Sequence, residues 1–347
     1  MSLAGAAVVL ALIVVSLGAF TRLVDAGLGC PDWPGCYGHL LWPNDAEELA
    51  RAAQAFPHAP VEHDKTWPEM VHRYFASVLG LLIAGLAFIA WRRRGVDGFP
   101  FRLPLLLLFI VVWQAIFGMW TVTLKLWPQV VTAHLLGGVA TFSLSWVLFL
   151  RLRREPWRLT SGCRRRLAAF QPWLVVAIIL VVLQIALGGW LSSNYAAFAC
   201  SDFPQCQQQW WPSMDLAAGF NLFQTVGPNY LGGLLTNEAR IAIHVVHRVG
   251  ALAVFAYLSL FCLALFRVDD VRIKRLAALI FAALLVQVAL GISNVLWAIP
   301  LPVAVLHNVG AAVLLLTLAT LGVQMWAVKR LPANSEQRDK LKGEQMV

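Results

Sequence analysis

Charge is scarce in this sequence. Only 13% of its 347 residues are Asp, Glu, Lys or Arg, against 59% hydrophobic, and the mean hydropathy is +0.70. A soluble domain carries about a quarter charged residues, so that class is excluded and a polytopic membrane protein is expected. The helices that bear histidine also lack a compact cysteine-histidine cluster. A structural zinc site normally draws four protein ligands, so zinc is disfavoured there. No convincing cleavage signal follows the first apolar run, which is expected to stay as a helix, the alternative being a removed signal peptide.

What is present is apolar length. Eight runs reach the roughly 17–25 residues needed to span a bilayer: 3–22, 70–91, 103–122, 131–150, 172–190, 241–266, 276–296 and 302–328. Basic residues then orient them. Arg92, Arg93, Arg94 and Arg102 follow the second run; Arg151, Arg153, Arg154, Arg158, Arg164, Arg165 and Arg166 follow the fourth. Arg267, Arg272, Lys274 and Arg275 follow the sixth, and Lys329, Arg330, Arg338, Lys340 and Lys342 follow the last. The positive-inside rule puts that side, and both termini, in the cytoplasm. The net charge of +9 sits mostly in these short loops, which suits anionic lipid headgroups and not nucleic acid.

The loops on the other side alternate long, short, long, short: 23–69, 123–130, 191–240 and 297–301. Local sequence repeats with them. Cys30-Pro-Asp-Trp-Pro-Gly-Cys36 resembles Cys200-Ser-Asp-Phe-Pro-Gln-Cys206, and Met70-Val-His-Arg73 resembles Val245-Val-His-Arg248. Gln114-Ala-Ile-Phe-Gly118 resembles Gln287-Val-Ala-Leu-Gly291, and His134 precedes His307 by the same 173 residues. Four spans per copy return the chain to its starting side. The expected fold is therefore all-α, with eight transmembrane helices in two tandem four-helix bundles related by a pseudo-two-fold axis along the membrane normal. The bundles are expected at 1–155 and 156–330, followed by a flexible cytoplasmic tail at 331–347.

Four histidines occupy equivalent places near the outer ends of even-numbered spans: His72 and His134 in the first copy, His247 and His307 in the second. Ionisable residues at that depth are functional candidates because their burial is costly. Facing imidazoles from separate helices suit axial ligation of haem iron; a non-haem metal or structural pairing are the other readings. Arg73 and Arg248, directly after two of them, could meet haem propionates or anchor at headgroups. Glu69 lies three residues before His72, on the same helix face, as a proton acceptor or charge stabiliser, unless it simply sits in the water layer. The matching residue before His247 is His244, a neighbour of the ligand or a surface group. That asymmetry predicts a working first half and an electron-passing second half.

Cys30 with Cys36 and Cys200 with Cys206 fall on the oxidising side, where disulfides persist. Each would close a short loop worth about 2 kcal/mol. The first pair is read as a structural disulfide, a redox participant or a metal site, and the second as structural; Cys163 and Cys262 have no evident partner.

Together, Glu69 with His72-Arg73, His134, His247-Arg248, His307, the loop Cys30–Cys36 and the segment Thr21-Arg-Leu-Val-Asp-Ala-Gly-Leu-Gly29 resemble the haem A synthase family, which includes related mitochondrial cytochrome oxidase assembly proteins. The resemblance implies oxidation of the C8 methyl of haem O to a formyl group by successive hydroxylations. It implies a substrate haem between His72 and His134, catalytic assistance from Glu69, and a resident haem B cofactor between His247 and His307, all towards the outer, periplasmic side of a bacterial inner membrane. Implied partners are haem O synthase, oxidase assembly factors and an unidentified electron donor, with homo-oligomer formation left open. The first outer loop, with a short helix expected at Ala46–Ala55, is longer than in compact members. A b-type cytochrome that only transfers electrons needs the same histidines, and internal repeats also occur in secondary transporters.

Overall fold

Inside hydrocarbon every main-chain N–H and C=O must be paired within the protein, so apolar runs of this length have helix as their solution. The structure, a computed structural model, describes residues 1–153, 157 and 159–330, with the main chain alone for 328–330. The expected tail at 331–347 with Arg338, Lys340 and Lys342, the residues Arg154 and Arg158, the side chains of Lys329 and Arg330, and the expected boundary at 155/156 lie outside the described residues.

Within them the chain forms α1 (Ser2–Leu23), α2 (Ala46–Ala55), α3 (His63–Arg92), α4 (Arg102–Thr123), α5 (Pro128–Arg153), α6 (Ser161–Ala169), α7 (Gln171–Ser193), α8 (Leu216–Gly219), α9 (Asn237–Phe266), α10 (Val271–Leu296) and α11 (Leu301–Arg330). A 3-10 turn at Ala196–Phe198 follows α7. Eight helices, α1, α3, α4, α5, α7, α9, α10 and α11, are long and apolar enough to cross a membrane, so this is an all-α multi-pass membrane protein. The short helix α2 falls where the sequence places it, capped by Asp45, whose carboxylate accepts from the Glu48 amide at 2.8 Å.

Several helices outrun their apolar runs. The second run starts at 70 but α3 starts at His63, and the sixth starts at 241 but α9 starts at Asn237. Hydropathy marks only the stretch that hydrocarbon covers, whereas a helix continues for as long as i to i−4 hydrogen bonds close. Glu69 therefore lies inside the second turn of α3 and not at its mouth.

Helix α1 packs on α3 and α5, α3 on α4, and α4 on α5; α7 packs on α9 and α11, α9 on α10, and α10 on α11. Between these two sets, α1 meets α11, and α5 meets both α7 and α11. Ala4, Ala7 and Ala11 form one buried stripe on α1, and small residues in such a stripe let a neighbouring helix approach closely. Ala7→Leu is expected to overpack this seam and cost about 1–3 kcal/mol, read as a lower unfolding temperature in detergent; an unchanged transition would mean the seam is slack.

Polar contacts brace the two sets of helices against each other. Trp146 Nε1 donates to Thr320 Oγ1 at 2.8 Å between α5 and α11, and the hydroxyls of Thr132 and Ser193 lie 3.2 Å apart between α5 and α7. At the end of α1, Arg22 donates to the Ser192 carbonyl at 2.5 Å and lies 4.1 Å above the Tyr195 ring, whose hydroxyl donates to Asp25 at 3.0 Å.

Backbone conformation repeats along with sequence. The residues after α1 and α7 that turn left-handed are Asp25 (φ 54°) and Tyr195 (φ 55°). Those after α4 and α10 are Lys125 and Leu126 (φ 50° and 61°), matched by Ala298 and Ile299 (φ 52° and 60°). Non-glycine residues seldom adopt this region, so a shared pair of turns at shared offsets reinforces the duplication read from sequence.

Candidate functional site

Each candidate histidine sits two to three turns inside its helix: His72 on α3, His134 on α5, His247 on α9 and His307 on α11. His72 and His134 lie on helices that both pack against α1 and α4, and His247 and His307 on helices that both pack against α7 and α10. All four are half-buried. Nδ1 of His72 and of His134 is buried with no side-chain hydrogen-bond partner, and Nδ1 of His247 and of His307 lies 3.1 and 3.2 Å from the side-chain nitrogens of Gln184 and Gln287.

A glycine on a neighbouring helix lies against every one of these rings. A Cβ on Gly18 or Gly291 would come within 3.0 Å of Cε1 of His72 or His307; on Gly188 or Gly118 it would come within 3.3 or 3.4 Å of Cε1 of His247 or His134. The imidazoles thus lean on helix walls that have no side chain at that point. Gly118 and Gly291 already stand out in the sequence as part of the repeat, but their function there has no local signature; the matching pair, Gly18 and Gly188, belongs to helices whose repetition is visible mainly in three dimensions.

Glu69 is 5% exposed, which overturns the water-layer reading. One carboxylate oxygen pairs with Arg73 Nη2 at 2.5 Å, and the other accepts from the Cys30 amide at 2.9 Å. His244, at the equivalent place in the second half, is also buried, with Nδ1 3.0 Å from the Ala196 carbonyl, so it is not a surface group. The first half therefore has a buried carboxyl group where the second has an imidazole.

Both cysteine pairs are disulfides, Cys30–Cys36 and Cys200–Cys206. Their loops share one construction. Asp32 accepts from the Tyr37 and Gly38 amides at 2.6 and 2.8 Å, and Asp202 from the Gln207 and Gln208 amides at 2.7 and 2.8 Å. Burial opposes ionisation of Asp202, but these amides and Arg248 outweigh it and hold its carboxyl below the ordinary carboxylate range. A depressed value means that this contact acts above the ordinary carboxylate pKa and is lost only as pH falls through the lower one.

The arginines complete the loops. Arg73 donates to the carbonyls of Asp32 at 3.1 Å, Pro34 at 3.3 Å and Gly35 at 2.6 Å; Arg248 donates to those of Cys200, Asp202, Pro204 and Gln205 at 3.3, 2.9, 3.4 and 2.7 Å. Sequence reasoning offered propionates or headgroups for these guanidiniums; the structure gives them loop carbonyls. The repeated order of His-Arg with Cys-x-Asp-x-Pro-x-Cys was the signal, since an arginine repeated beside a repeated loop has a common partner available. Cys163 and Cys262 are free thiols, the latter buried on α9. Among the described residues, no three or more His, Cys, Asp or Glu gather as a metal-ligand group.

Comparison with known proteins agrees with this architecture. A model of the cytochrome oxidase assembly protein family (COX15-CtaA) matches residues 2–319. The chain is 43% identical over 318 residues to a "Heme A synthase" of Shewanella oneidensis, covering 92% of this chain and 94% of that protein. It is 30% identical over 340 residues to one of Rhizorhabdus wittichii, covering 90% of each, and 27% identical over 346 residues to one of Caulobacter vibrioides, covering 94% of each. Matches of this length leave little of the eight-helix core outside the relationship, and this chain belongs to the haem A synthase family.

Proposed function

We propose that this protein is a haem A synthase that oxidises the C8 methyl of haem O to a formyl group by successive hydroxylations. In this reading residues 1–155 and 156–330 are two four-helix bundles related by a pseudo-two-fold axis along the membrane normal. The first holds the substrate between His72 and His134, the second holds haem B between His247 and His307, and both open towards the non-cytoplasmic side. The observation that carries it is the pair of histidine couples, each ring resting on a glycine, with a buried Glu69 beside only one couple.

The residues suit a planar macrocycle. Nδ1 is buried in His72 and His134 and faces a glutamine amide in His247 and His307, and Gly18, Gly118, Gly188 and Gly291 supply the recess beside each imidazole. Two ligands from opposed helices, with apolar walls, are what haem iron requires. When bound, haem B supplies one-electron redox chemistry that no side chain here can provide.

The protein's own part is positioning and charge control. A carboxylate of ordinary basicity does not deprotonate an unactivated methyl group, so Glu69 is not the base that starts the reaction. Its Oε1, already balanced by Arg73, can take or return a proton as charge develops beside the substrate, and the Cys30 amide holds Oε2 in place. The Arg73 grip on the loop keeps the Cys30–Cys36 segment over that carboxylate and excludes water from it. In the cell, haem O synthase, oxidase assembly factors and an electron donor are the partners this reading calls for.

Pigment extraction from purified protein followed by mass spectrometry tests the proposal. Haem B together with haem O or its oxidised products is expected. Haem B alone, with no conversion after haem O and reductant are supplied, would make the protein an electron-transferring cytochrome instead.

A further inference from the structure

The second half holds its histidines in a way that the first does not. On α9 and α11 the residue three after the ligand is glycine, Gly250 and Gly310, and each faces a glutamine from the neighbouring helix. A Cβ at Gly250 would lie 2.3 Å from Gln184 Oε1, and one at Gly310 would lie 2.5 Å from Gln287 Oε1. In that space the Gln184 amide nitrogen reaches Nδ1 and the main-chain carbonyl of His247 at 3.1 and 2.9 Å, and that of Gln287 reaches the same atoms of His307 at 3.2 and 3.0 Å. Both glutamines lie four residues before the glycine that backs the ring, so one helix turn supplies wall and amide together.

In the first half the pattern is broken. The residue four before Gly18 is Val14, and the one three after His72 is Phe75, so neither amide nor gap exists at His72. Gln114 and Gly137 keep the pattern near His134, yet no side-chain amide bonds Nδ1 of either His72 or His134.

Resting on the haem reading above, we propose that Gln184 and Gln287 are positioning residues that fix the imidazoles of His247 and His307, so that haem is retained in the second half and exchanges in the first. When Nε2 ligates iron, Nδ1 carries the ring proton and needs an acceptor. Oε1 of each glutamine is buried and unpartnered, and amide oxygen and nitrogen are nearly isosteric. A half-turn of the amide therefore presents Oε1 to Nδ1–H. The turn would also set Oε1 against the histidine carbonyl oxygen, to which the amide nitrogen now donates at 2.9 and 3.0 Å, so each glutamine has to draw back from that carbonyl as it turns towards Nδ1–H. An acceptor on Nδ1–H orients the ring and raises its basicity as a ligand. The division between a resident cofactor and a transient substrate is then built into the shell behind the ligands.

The test uses the full-length protein in detergent, with excess apomyoglobin as haem acceptor and mass spectrometry to follow each haem separately. In the unaltered protein haem O or its products should leave faster than haem B. Gln184→Leu with Gln287→Leu should speed haem B loss about 10–100-fold and move its midpoint potential upward. Gln287→Glu, which keeps the shape but strengthens the acceptor, should move the potential downward. A general loosening of the fold would not produce opposite signs. Unchanged haem B release and potential in these variants, or equal release of both haems from the unaltered protein, would overturn this inference alone. Protein that binds no haem at all would overturn the parent reading and this one with it.

Discussion

Glu69→Ala is expected to lower conversion of haem O by about 100-fold or more, the range in which a positioned proton-transfer group operates, while the haem B spectrum stays as it was. Glu69 is tied to the first half only, through Arg73 and the Cys30 amide. Removing it leaves a guanidinium with one fewer acceptor in a buried place, and breaking such a pair costs about 3–5 kcal/mol. Turnover could then fall because the loop shifts. Glu69→Gln separates the two causes: its amide oxygen still accepts from Cys30 and its bulk is the same, but it carries no charge. A folded Glu69→Gln protein with low turnover and normal haem B would assign the loss to charge; unchanged turnover in both variants would remove Glu69 from the mechanism.

His247→Ala and His307→Ala are each expected to strip haem B from the purified protein, lowering the haem B to protein ratio more than tenfold, since each tenfold corresponds to about 1.4 kcal/mol of affinity and an axial ligand contributes more. Pyridine haemochrome spectra read the result. His72→Ala should leave haem B in place and remove the substrate haem. His58→Ala, at an exposed loop position, is the control that changes neither. Retention of haem B by both second-half variants would end the assignment of its ligands.

Much of this arrangement could be read in the sequence because two of its causes are local. Apolar run length sets the eight spans, and repetition of His-Arg and Cys-x-Asp-x-Pro-x-Cys sets the duplication. What escaped was everything that depends on which helix stands beside which. Val14 and Gln184 look unrelated until Gly18 and Gly188 are found against equivalent rings. The partners of Arg73 and Arg248 are carbonyls, which every residue has, so composition offered no hint of them. Hydropathy changes next to Glu69 and so sets it at the membrane boundary, but α3 carries it inward beneath the disulfide loop, where it is shut off from water.

The loop fastened by Arg73 also bears on how a large, greasy molecule reaches the first slot. Peeling that cover upward would detach the three carbonyls from Arg73 and the Cys30 amide from Glu69 in one movement, baring a buried carboxylate. Sliding in sideways between helices from the lipid asks for none of these ruptures. On the haem O reading, entry from the lipid therefore breaks fewer contacts than entry through the cover, and a cross-link pinning the cover to α3 should leave uptake undiminished.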